Sequence, residues 1–142
     1  MVYLVVFSPR APQSLMIYEL VQDGKITNVI CPTSQYVITA GTNTLINVWE
    51  LGKGRHKRLH LKTRLTGHND TITYLTASQA YRILVSGSDD RTCIVWDLNR
   101  LHFIRQLPDH AGSISCICVN ELTVSAECEQ QNHFEQNVDR LG

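Results

Sequence analysis

Along the middle of the chain, apolar and polar residues alternate with a period of two. In ITYLTA, Ile72, Tyr74 and Thr76 fall on one face and Thr73, Leu75 and Ala77 on the other, while β-branched residues dominate RILVSGS and TCIVWDL. This is the pattern of strands with one or both faces covered. Gly41-Thr42-Asn43 and Ser88-Asp89-Asp90 interrupt it with residues that favour tight turns. The pattern predicts strands near 26–31, 36–40, 45–50 and 60–65, again near 72–77, 82–87, 92–97 and 102–107, and once more at 114–119. LMIYEL, residues 15–20, reads as an outer strand of a preceding unit.

The strands recur as a repeat. ITNVICPTSQYVITAGTNTLINVWEL from Ile26, ITYLTASQAYRILVSGSDDRTCIVWDL from Ile72 and ISCICVNELTVSAE from Ile114 lie over one another, their starts 46 and 42 residues apart. A period of that length with four short strands per unit belongs to a propeller blade, since ankyrin and TPR units are shorter and helical. The predicted fold class is therefore all-β, an incomplete β-propeller of two full blades plus partial flanking blades. Residues 1–123 make the partial propeller, with blades over about 26–66 and 71–107 and a partial blade from 113. The polar tail 124–142, VSAECEQQNHFEQNVDRLG, reads without a period and is expected to be disordered. Too few blades are present to close a propeller, so open sheet edges and marginal stability in isolation are expected.

The motifs carry a resemblance. TGHNDTITYL supplies Gly67-His68 and SGSDDRTCIVWDL supplies Trp96-Asp97, so the second unit resembles the WD-repeat family. That resemblance implies a structural tetrad of His68, Ser86, Asp90 and Trp96, which locks one blade by hydrogen bonds. In the first unit Trp49 is kept, but Gln22 and Asn43 stand where His68 and Asp90 stand, so its tetrad is expected to be absent. In the third, His110 follows Asp109 instead of glycine and no Trp-Asp comes later. The stretches CPTSQYVITAGTNTLINVWELGKG, LTGHNDTITYLTAS, ILVSGSDDRTCIVWDLNRL and ISCICVNELT are similar to the C-terminal WD-repeat region of BEACH-domain proteins, in particular the autophagy-linked FYVE (ALFY, blue cheese-like) type, over residues 26–123. A neighbouring branch, the lysosomal-trafficking regulators, carries a similar run. The resemblance implies a non-enzymatic protein-interaction scaffold in selective autophagy of protein aggregates. Its partners would be cargo receptors and autophagy machinery; a vesicle or lysosomal trafficking scaffold is the alternative.

Composition narrows the rest. With 142 residues, 43 % of them hydrophobic, the chain holds one modest core, and its 13 basic and 13 acidic residues leave no global field for nucleic acid or membrane. Five cysteines without a CxxC pair, and no recognisable signal peptide, read as reduced thiols in a cytoplasmic protein, peripheral at most on autophagic or endosomal membranes. Asp89-Asp90 suggests an acid/base pair, but no nucleophile, metal triad or phosphate loop lies nearby, and turn duty explains both. Cys116 and Cys118, with His102 and His110, invite a zinc site; lacking knuckle spacing, the cysteines read instead as core filling. Asn69-Asp70-Thr71 is a glycosylation triplet better read as a turn. GKGRHKRLHLK holds Lys53, Arg55, Lys57, Arg58 and Lys62, a patch for acidic lipid or a partner. Without interleaved aromatics it does not point to nucleic acid, and its simplest reading is a charged loop entering an edge strand. No catalytic residue, cofactor, metal or small-molecule ligand is expected.

Overall fold

The computed structural model describes residues 2–8, 11–20, 22–53, 58–119, 123–128 and 133–137, with side chains over 22–53 and 58–119. Among these residues there are strands and no helix, and hence none long and apolar enough to cross a membrane. The strands are β1 (Val2–Ser8), β2 (Ala11–Leu20), β3 (Ile26–Ile30), β4 (Tyr36–Gly41), β5 (Ile46–Leu51), β6 (Leu59–Leu65) and β7 (Ile72–Ser78). They continue with β8 (Ile83–Ser88), β9 (Cys93–Asp97), β10 (His102–Gln106), β11 (Ile114–Val119), β12 (Thr123–Cys128) and β13 (His133–Asn137). Each pairs antiparallel with its chain neighbour within four sheets: β1-β2, β3-β4-β5-β6, β7-β8-β9-β10 and β11-β12-β13. The protein is all-β and its two four-stranded sheets are propeller blades.

Both ends differ from the sequence expectation. Val2–Ser8, where the sequence pattern predicts no strand, pairs with β2, because a second apolar alternating run follows within hairpin reach. The tail is not without structure where it is described: β12 pairs with β11 and β13 with β12. Thr123, Ser125 and Glu127 alternate with Val124, Ala126 and Cys128, a strand period hidden by the polar composition. The backbone groups along β11 require partners that this segment supplies.

The blades pack face to face. Ile38, Ala40, Ile46 and Val48 of the first blade meet Leu75, Leu84, Ile94 and Trp96 of the second. Ile83, Val85, Cys93 and Val95, on the second blade's opposite face, meet Ile114 and Ile117 of β11. A sheet covered on both faces has no solvent side, which is why Ile83–Val85 of β8 and Cys93–Trp96 of β9 are unbroken apolar runs. Burying each aliphatic side chain contributes about 1.5–3 kcal/mol. Gly87 permits the second contact, since a Cβ built on it would lie 2.5 Å from Ile114 Cγ2.

One bulge recurs in β3, β7 and β11, each the first strand at one edge of its sheet and the inner strand in propeller terms. The β3–β4 register shifts between Ile26 and Asn28, the β7–β8 register between Ile72 and Tyr74, and the β11–β12 register between Ile114 and Cys116. The extra residues are Thr27, Thr73 and Ser115, and a bulge re-aims the side chain it inserts. Thr27 Oγ1 donates to Ile72 O at 2.5 Å, and Thr73 Oγ1 to Ile114 O at 2.5 Å, so each hydroxyl stitches its blade to the next. The bulge also resets the alternation. Ile114 and Ile117 enter the core, and Cys116 and Cys118 are exposed, not core filling as their residue type suggests. Cys93 is fully buried, and burial pushes its thiol up to about 12.

Candidate functional site

Three segments converge at one end of the second blade. Leu65 and Leu107 are buried and anchor the chain where β6 and β10 end, so the loops after them turn over the sheet. Gly67 then passes close over Trp96, where a Cβ would lie 3.0 Å from the indole edge. This leaves His68 pointing into the blade. The β8–β9 turn presents Asp90 from the other side, closed by Arg91 N to Ser88 O at 3.1 Å with Arg91 in the left-handed region at φ 69°.

The predicted residues meet. His68 Nδ1 lies 3.0 Å from Asp90 Oδ2, His68 Nε2 lies 2.7 Å from Ser86 Oγ, and Trp96 Nε1 donates to Ser86 Oγ at 2.8 Å. Asp90 is acceptor-only as a carboxylate, so Nδ1 carries the proton. Ser86 Oγ, which already accepts from Trp96, then turns its own hydrogen to Nε2. The remaining carboxylate capacity is used by the chain: Asn69 N donates to Oδ2 at 2.8 Å, and Thr92 N and Oγ1 donate to Oδ1 at 2.9 and 2.6 Å. Burial holds His68 below the ordinary histidine value, although Asp90 pulls it upward. For Asp90 burial is the largest influence and raises it, but hydrogen bonds from Thr92 and Asn69 and the nearby His68 together outweigh this and leave it low. Neutral imidazole between hydroxyl and carboxylate is the form these shifts favour.

Serine, histidine and aspartate in this order look like a hydrolytic triad. Ser86 is 0 % exposed and its oxygen is occupied by Trp96 and His68, so no acyl group reaches it. The arrangement binds one strand, one turn and one loop into a unit. Asp89 acts elsewhere, between loops: its N–H donates to Thr71 O at 2.9 Å, and its carboxylate accepts from Ser113 Oγ in the next loop.

In the first blade the full tetrad is absent, as its Gln22 and Asn43 lead one to expect, but a shorter chain of hydrogen bonds stands in its place. Trp49 Nε1 donates to Thr39 Oγ1 at 2.9 Å, and Thr39 Oγ1 donates to Gln22 Oε1 at 2.6 Å. Trp49, Thr39 and the amide of Gln22 fill three of the four tetrad positions. Only the carboxylate link is missing: Asn43 Oδ1 accepts from Leu45 N at 3.3 Å, while the buried Gln22 Nε2 has no partner among the described residues. Sequence reasoning missed this because a change of residue type hides a shared geometry; the hydroxyl of Thr39 two positions after Val37, opposite Trp49, was the available signal. In the third blade the register positions of Ser86 and Trp96 are taken by Ala126 and Gln136, though His110 is buried where the repeat places it and its N–H donates to Arg91 O at 2.9 Å.

Of the predicted basic patch, Lys53, Arg58 and Lys62 are described and exposed, and Arg55 and Lys57 lie outside the described residues. Lys62 turns to Tyr36 and Glu50, with Nζ 2.7 Å from the phenol oxygen, 3.2 Å from the carboxylate and 4.8 Å from the ring centre. No cluster of three potential metal ligands occurs among the described residues. Phe103, 51 % exposed, meets Trp96 edge-on at 6.0 Å.

Comparison with known proteins agrees with this geometry. Residues 59–97, the last strand of the first blade through the Trp-Asp of the second, match the family described as WD domain, G-beta repeat. The chain is 41 % identical over 112 residues to human WD repeat- and FYVE domain-containing protein 4, covering 77 % of the chain and 4 % of that protein. It is 37 % identical over 90 residues to BEACH domain-containing protein A2 of Arabidopsis thaliana, covering 61 % and 3 %. It is 36 % identical over 85 residues to the human Lysosomal-trafficking regulator, covering 60 % and 2 %. The chain thus spans only a few hundredths of the length of the curated relatives it matches.

Proposed function

We propose that this chain, a WD-repeat segment of the BEACH type, works by docking other proteins and not by turnover. The observation that supports this is Ser86: the residues most like a reaction centre are sealed and used to hold the loops 67–70 and 89–91, while Asp70, Asp89, Arg91 and Asp109 remain exposed above them. A loop pinned before binding loses less entropy when a partner arrives. Resemblance to the autophagy-linked FYVE type supports selective autophagy of protein aggregates as the process, with the segment cytoplasmic and peripheral on autophagic or endosomal membranes. Cargo receptors and autophagosome-building proteins are then its partners, joined by valency. A trafficking scaffold is the second reading, supported by the relative named Lysosomal-trafficking regulator.

The test reverses Asp70 and Asp109 to lysine, two exposed acids outside the lock, within the natural polypeptide that carries the segment. Aggregate clearance in cells is expected to slow while lysosome size stays the same. Normal clearance with altered lysosomes would favour the trafficking reading, and no change in either would remove docking at this rim.

A further inference from the structure

The net charge is zero, yet the antiparallel meander sorts charge between its two ends. The loops entering β3, β7 and β11 and the β4–β5 and β8–β9 turns share the His68 end, where Thr42 N meets Lys25 O, Asp89 N meets Thr71 O and His110 N meets Arg91 O. That end carries Asp23, Asp70, Asp89, Asp90 and Asp109 against Lys25 and Arg91. The β3–β4, β5–β6, β7–β8 and β9–β10 connections share the opposite end, tied by Leu51 N to Gln35 O at 2.7 Å and Leu98 N to Arg82 O at 2.8 Å. Their described residues hold Lys53, Arg58, Arg82 and Arg100, all exposed, and no acid. The nearest carboxylates are already engaged: Asp97 accepts from the amides of Asn99 and Arg100 at 2.8 Å each, and Glu50 pairs with Lys62.

Between the first two blades this basic end opens into a groove of about 230 Å³, lined by Thr33, Tyr36, Gln79, Arg82, Leu98 and Asn99. We propose that the groove docks an acidic peptide segment of a partner protein. One carboxylate meets the Arg82 guanidinium, whose fork matches it bidentately, and a neighbouring apolar side chain lies over Tyr36 and Leu98. Thr33, Gln79 and Asn99 offer donors and acceptors to the peptide backbone. A flat acidic lipid surface would meet the projecting loops and leave a recessed groove unused, so the shape favours a peptide. The opposite charge of the two ends orients such a partner before contact. This inference goes beyond the docking reading above, which concerns the His68 end, and either stands without the other.

The experiment is fluorescence anisotropy of the full chain with a labelled peptide of alternating glutamate and leucine. Its lysine–leucine counterpart and phosphatidylcholine vesicles containing phosphatidylserine are run in parallel. The acidic peptide is expected to bind, more weakly as salt rises, and Arg82→Glu is expected to lower affinity about tenfold or more. Arg100→Glu, exposed on the same rim, gives a smaller loss and serves if Arg82→Glu fails to fold; Lys25→Glu, exposed at the other end, leaves binding intact. No binding of the acidic peptide, equal binding of the lysine peptide, or the same affinity in Arg82→Glu and Arg100→Glu as in the parent would overturn the proposal. Vesicle binding that Arg82→Glu abolishes while the peptide stays unbound would assign the rim to lipid instead.

Discussion

At the scale of single residues, the central question is what His68 contributes when it stays neutral. Its proton affinity is held below the ordinary value near 6.5, so the stability due to the neutral ring is complete above that value. It is lost as pH falls below 6.5 towards the folded value, because the unfolded chain takes up the proton first. Asp90, also depressed, adds a second loss only below the ordinary carboxylate range. The first blade shows a substitute that does not titrate, since Gln22 fills the same place against Thr39. His68→Gln is therefore expected to cost about 1 kcal/mol at neutral pH while shedding much of the acid sensitivity that sets in as pH falls from neutral through 6.5. Urea midpoints measured across that range for both proteins check it. His110, also pushed down by burial, titrates in both, so the difference between the curves carries the answer; parallel curves would refute the assignment.

At the scale of elements, the inner-strand bulge both steers the core and joins the blades. Alternation alone made β7 and β11 legible as strands, but not their faces, because a single inserted residue moves everything after it to the other side. Ile114 and Ile117, three apart, were the clue to the bulge, and with it to the exposure of Cys116 and Cys118. The hydroxyl at the bulge is testable without disturbing volume. Thr73→Val removes the donor to Ile114 O and is expected to destabilise by about 1 kcal/mol, with faster amide exchange in β11, whereas Thr73→Ser retains most of the bond. Exchange that accelerates equally in all blades would mean that the hydroxyl does not join these two.

At the scale of the molecule, packing repeats from blade to blade until Val29. Its counterparts Leu75 and Ile117 are buried under a neighbouring sheet, whereas Val29 is 44 % exposed and the described residues place no inner strand over it. An uncovered apolar sheet position invites association. Val29→Thr is expected to reduce light scattering of the purified chain on mild heating and leave its unfolding midpoint nearly unchanged; undiminished scattering would place the association elsewhere. The second blade and its lock were readable in the sequence because Gly67, His68, Ser86, Asp90 and Trp96 are distinct chemical types at set offsets, and strand alternation carries its own period. Tertiary structure alone decided the rest. It placed Gln22 and Thr39 in a lock that their names do not suggest, and it turned the hydroxyls of Thr27 and Thr73 towards the next blade. It also sent the acidic connections to one end and the basic ones to the other, because an antiparallel meander assigns alternate loops to opposite rims whatever the net charge.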